Sequence, residues 1–77
     1  NRQNMKREQI HIGNMIASFM KSNGISKSEL GRRIPCHRTH VYEILNSPSL
    51  HSQQIQRISE VLDHDFFADL SEKMKEV

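Results

Sequence analysis

A chain of 77 residues suits one small domain whose single core stabilises it modestly, and it leaves little room for a large catalytic cleft. Apolar residues make up 35% of it without the uninterrupted run of about 18 that a membrane span needs, and one cysteine excludes an internal disulfide. The net charge of +2 hides an asymmetry, with eight Lys and Arg against three Glu over residues 1–49 and three against six acids over residues 50–77, a distribution that suits a polyanionic partner on the basic side and equally a plain solvated surface.

The start, "NRQNMKREQIHIGN", is polar throughout and lacks the apolar stretch of a secretory signal. A cytoplasmic location is therefore expected. Met5 is a candidate natural start, and residues 1–8 are given no fold role: they are read as a disordered or extraneous arm ahead of a folded domain over residues 9–77. The first helix is predicted from about Ile12 to Asn23, with Ile12, Met15, Ile16, Phe19 and Met20 on one stripe and Gly24 closing it in the left-handed conformation. The second carries a complete start signal, in which Ser26 is the cap, Glu29 follows three residues later, and Ile25 and Leu30 form a hydrophobic staple. Proline disfavours helical dihedrals in the residue before it, so Ile34 should leave this helix ahead of Pro35.

A third helix is expected from His37 or Arg38. At about 100° per residue, Val41, Ile44 and Leu45 fall on one side of it and Arg38, Thr39, Tyr42 and Glu43 toward the other. After "NSPS" a fourth helix from about Ser52 should bury Ile55, Ile58, Val61 and Leu62, and a fifth from about Asp65 carries Phe66, Phe67, Leu70 and Met74. Phe67, Leu70, Met74 and Val77 recur at spacings of 3, 4 and 3, a seam that could pair two subunits through the fifth helix or pack against its own core. No strand-like alternation and no repeat interrupts this order.

Cys36, His37 and His40 crowd into five positions and invite a metal or catalytic reading. They offer at most three ligands where structural zinc wants four, and a thiolate nucleophile needs an open electropositive pocket that so short a chain does not suggest. Cys36 is read instead as a small core hydrophobe. His37 and His40 are read as phosphate contacts or plain surface residues, and His11, His51 and His64 as surface. No metal, cofactor or catalytic residue is expected.

Two short basic helices joined by a tight turn, the second apolar on one side only, form the pattern of a helix-turn-helix. The stretch "GISKSELGRRIPCHRTHVYEILN", residues 24–46, resembles without a gap the core of the phage-repressor-like, xenobiotic-response-element-type helix-turn-helix family. The matching features are Gly24, Ser26, Leu30, Gly31, Val41, Ile44 and Asn46. "IGNMIASFMKSNG" is similar to that family's first helix, and "IQRISEVLDHDFF" to its fourth running into its fifth. The resemblance implies an all-α, five-helix lambda-repressor-like domain that binds double-stranded DNA through its third helix and regulates transcription, as a repressor and a homodimer. Arg38, Thr39, Tyr42 and Glu43 are then the base-reading candidates; Lys27, at the start of the second helix, His37, His40 and Asn46 are the phosphate set; Phe67, Leu70, Met74 and Val77 are the dimer seam.

Three positions depart from the family pattern. Pro35 stands where its turn usually has a glycine with positive φ, so the turn must differ locally. Met20 and Leu45 stand where an Arg and a Glu are often paired, which implies an apolar contact instead. Glu43 replaces an amide or basic base-contacting side chain. Gly31 is expected to let the third helix cross the second closely, offsetting the roughly 1 kcal/mol that glycine costs inside a helix. Alternative readings are an antitoxin-type regulator that binds both an operator and a toxin protein, an interaction module that has lost DNA binding and, more remotely, a small metal-dependent enzyme.

Overall fold

The computed structural model describes residues 9–76; the arm assigned to residues 1–8 and the seam position Val77 lie outside them. Five helices follow in order, α1 (Ile12–Ser22), α2 (Lys27–Arg33), α3 (Arg38–Leu45), α4 (Ser52–Leu62) and α5 (Phe66–Glu76), with no strand among the described residues. The chain is all-α. None of these helices is long and apolar enough to cross a membrane.

Local chemistry sets most of the boundaries. His11 holds an extended backbone, and its Nδ1 accepts the amide of Asn14 at 3.0 Å to open α1. At the other end Gly24, at φ +66°, lets the amides of Gly24 and Ile25 donate back to Lys21 and Met20 at 3.3 and 2.9 Å, which satisfies carbonyls the helix would otherwise leave unpaired. Ser26 Oγ accepts from the Glu29 amide at 3.1 Å. The Glu29 carboxylate does not return to Ser26 as a reciprocal cap would; it turns to Arg32 and Arg33. Ile34 ends α2 one residue before Pro35, at φ −98° and ψ 14°, without the extended ψ that a following proline favours. Gly24 and Asp63 have the only positive φ values among the described residues, so the four-residue connection from α2 to α3 takes no left-handed residue.

Asp63, at φ 54°, closes α4 in the left-handed conformation that asparagine and aspartate tolerate better than most residues. The neighbouring Asp65 Oδ1 then accepts the amides of Phe67 and Ala68 at 3.0 and 3.1 Å to start α5. Phe66 is fully buried, and its amide donates to Ser59 Oγ of α4 at 3.2 Å.

Ile12, Ile16 and Met20 of α1, Leu30 of α2, Val41, Ile44 and Leu45 of α3, Ile55, Ile58 and Leu62 of α4, and Phe66 form one buried cluster with Ile34. Burial at roughly 25 cal/mol per Å² of apolar surface is the main term holding five short helices together. Met20 and Leu45 are both within it, 3% and 7% exposed, in keeping with an apolar pairing at those positions. Met15, Phe19 and Val61 are only partly buried against it, as is Cys36, which packs at the margin of the core rather than inside it.

A close approach of two elements falls at a glycine that the sequence pattern did not single out. The amides of Ile12 and Gly13, at the open end of α1, donate to the carbonyls of Pro48 and Ser47 at 3.2 and 2.9 Å. A Cβ at Gly13 would sit 2.7 Å from the Leu45 carbonyl carbon and 2.8 Å from the Ile44 oxygen, backbone atoms that cannot step aside. At Gly31 a Cβ would meet Val41 Cγ2 at 3.4 Å and the Cys36 oxygen at 3.5 Å, which is ordinary contact. The α2–α3 crossing at Gly31 is therefore not unusually tight, and the approach that excludes a side chain is a different one, at Gly13, where α1 passes over the end of α3.

Candidate nucleic-acid interface

Val41, Ile44 and Leu45 anchor α3 in the core, which leaves Arg38, Thr39, Tyr42 and Glu43 exposed. Tyr42 is 45% exposed. The α3 start is capped by His37, whose Nδ1 accepts the Thr39 amide at a long 3.5 Å. His37 is therefore a helix cap as well as an exposed residue near Arg38. Glu43 is held by a neighbour on its own helix: His40 Nδ1 lies 3.3 Å from Glu43 Oε1. Asn46 is also exposed, but it closes α3 at the end opposite Arg38.

Lys27 is the first residue of α2, and its Nζ stands 5.7 Å from the centroid of the Tyr42 ring on α3, within the range of a cation–π attraction. This contact joins a residue placed in the phosphate set to one placed in the base-reading set. Farther along α2, hydrogen bonds from Arg33 and then Arg32 hold the Glu29 carboxyl below its ordinary value of 4.5. Both arginines pair with Glu29, and Arg33 also donates to the Val61 carbonyl at 3.3 Å.

The Cys36, His37 and His40 side chains, for which no metal role is expected, have separate partners, and the expected α5 seam is divided as well. Cys36 packs against the core, His37 caps α3 and His40 pairs with Glu43, and among the described residues no three His, Cys, Asp or Glu side chains are placed to hold a metal ion. The apolar seam on α5 is also split. Phe67 and Met74 are 42% and 60% exposed, whereas Leu70 packs against the core of its own chain. His64, expected at the surface, is half-buried: its ring stacks on Phe19 at 4.2 Å and its Nε2 lies 2.7 Å from Asp69 Oδ2, which ties the start of α5 to α1.

Lys21, near the end of α1, lines the same groove as Lys27, Arg38 and Tyr42. Sequence reasoning passed over it because its place beside α2 depends on how the Gly24 turn redirects the chain, not on any spacing within a helix.

Compared with protein-family models, with curated proteins and with solved structures, the chain finds no match. The functional reading rests on the geometry of α2 and α3 and on the sequence resemblance.

Proposed function

We propose that the chain is a lambda-repressor-like helix-turn-helix domain that binds double-stranded DNA through α3 and regulates transcription as a repressor. The observation that carries the reading is the two-sided character of α3. One side is buried with Val41, and the other presents Arg38, Thr39 and Tyr42 without a covering element. A helix of this kind fits the major groove, where Arg38 has the planar fork to meet guanine O6 and N7 and Thr39 can touch a thymine methyl. Lys27, at the start of α2, supplies a contact to the backbone, which positions without reading sequence.

Selection from a random duplex library identifies the preferred site, and Arg38→Ala then tests the reading. The substitution should cost roughly 1–3 kcal/mol on that site and relax preference at one base pair. Equal binding of parent and variant to every single-base variant of the site would remove α3 as the reading element. Exposed Phe67 and Met74 support a protein partner for α5, read here as a second copy of the chain, which would set two α3 helices about one DNA turn apart.

A further inference from the structure

Ion pairing distinguishes some of the basic side chains from others. Arg32 and Arg33 are held by Glu29, and Lys75 by Glu72. Lys21, Lys27 and Arg38, like Arg57 of α4, have no carboxylate partner among the described residues. The first three come from three different helices, yet all line one groove of about 600 Å³ where the end of α1, the start of α2 and the first turn of α3 meet. Like charges gathered without a counter-charge repel one another, and an anion in the groove reverses the sign of that term.

The geometry also limits what the anion is. A lysine ammonium is a compact point charge that suits a tetrahedral oxyanion, whereas base edges call for the planar fork of an arginine or an amide. Tyr42 lines the groove too, with the Lys27 ammonium 5.7 Å from its ring centroid, at the outer range of a cation–π attraction. Its phenol remains as a donor. Ser28 adds a hydroxyl to the same groove.

We infer that this groove seats one backbone phosphate of the duplex, with Lys21 and Lys27 supplying the charge and the Tyr42 hydroxyl donating a hydrogen bond to a non-bridging oxygen. The inference rests on the DNA-binding reading above and refines it. It adds Lys21 to the interface and moves Tyr42 from base reading to phosphate positioning. Arg38 lines the same groove and is exposed, so a phosphate fixed beside it sets how far its guanidinium reaches toward a base edge.

The test uses the full chain, with Lys21→Ala and Tyr42→Phe; both side chains are exposed, and circular dichroism checks that each variant keeps the fold. Binding is measured by fluorescence anisotropy, over a range of salt, to the selected duplex and to a random one. Each variant should lose the same factor on both duplexes, roughly two- to fivefold as for exposed charge contacts. Lys21→Ala should also flatten the log-log salt slope by about 1, and Tyr42→Phe should leave it unchanged. Unchanged affinity and slope for Lys21→Ala while the parent binds both duplexes would overturn the seat alone, as would a Tyr42→Phe loss confined to the selected duplex. Failure of the parent to bind any duplex would overturn the DNA reading itself. In a parallel titration, saturable movement of the Tyr42 ring resonances by inorganic phosphate but not by duplex would assign the groove to free phosphate and reject the diester.

Discussion

Glu43 stands among exposed cationic and polar side chains of α3, 3.3 Å from His40 Nδ1. On the proposed DNA reading, a carboxylate there would repel the phosphate backbone yet could accept a hydrogen bond from cytosine N4, trading general affinity for choice of sequence. Glu43→Gln is expected to bind random duplex more tightly and to relax preference at one base pair. Competition against single-base variants checks this, and an unaltered preference profile would leave Glu43 as a surface acid paired with His40. A second prediction at this scale contrasts two glycines. Gly13→Ala should lower stability by about 1–3 kcal/mol, because its Cβ meets backbone that cannot repack, whereas Gly31→Ala should raise it by up to about 1 kcal/mol through helix propensity. Urea denaturation of both variants should give opposite shifts. The role of Gly31 was read from a family pattern and that of Gly13 was not legible at all, because a glycine inside a helix registers in sequence only as a cost. Its benefit arises where α1 crosses the end of α3, a contact across 32 positions of sequence. The caps divide similarly: Ser26 is a preferred cap residue and was legible, whereas His11 and His37 act as caps although histidine is not a usual one.

The elements themselves were legible because their boundaries are local. Gly24, Ser26 and Pro35 each act on the backbone within a few residues, and the end of α1, both ends of α2 and the start of α3 fall within a few residues of the positions those signals indicate. What a helix does with each apolar residue was less legible. The spacing of Phe67, Leu70 and Met74 marks one seam, but Leu70 lies over the core while Phe67 and Met74 do not. The angle at which α5 docks decides which of them is covered, and the His64 stack on Phe19 that helps set the docking joins distant parts of the chain. Phe67→Asp is accordingly expected to keep the helical fold and to abolish self-association, as measured by sedimentation equilibrium and by loss of cooperativity on a near-palindromic duplex. A parent chain that sediments as a monomer both free and on DNA would reject pairing through α5 and favour a different protein, such as a toxin, as the partner of that face.

Across the whole molecule, five helices in order and one apolar cluster follow from punctuation and periodicity, because each helix needs its stripe covered and short connections leave few ways to do so. The electrostatic layout needed the structure. Residue counts give a basic first two thirds, but they do not separate Arg32 and Arg33, paired with Glu29, from Lys21, Lys27 and Arg38, which gather in one groove. On the proposed reading, arrangement more than net charge is what favours a polyanion as partner. The most direct measurement is the affinity of the full chain for a short random duplex as salt is raised. The account predicts binding at low salt and a linear fall of log affinity with log salt, with a slope of about −0.9 for each phosphate contacted. No binding at low salt, or an affinity that salt does not change, would contradict it.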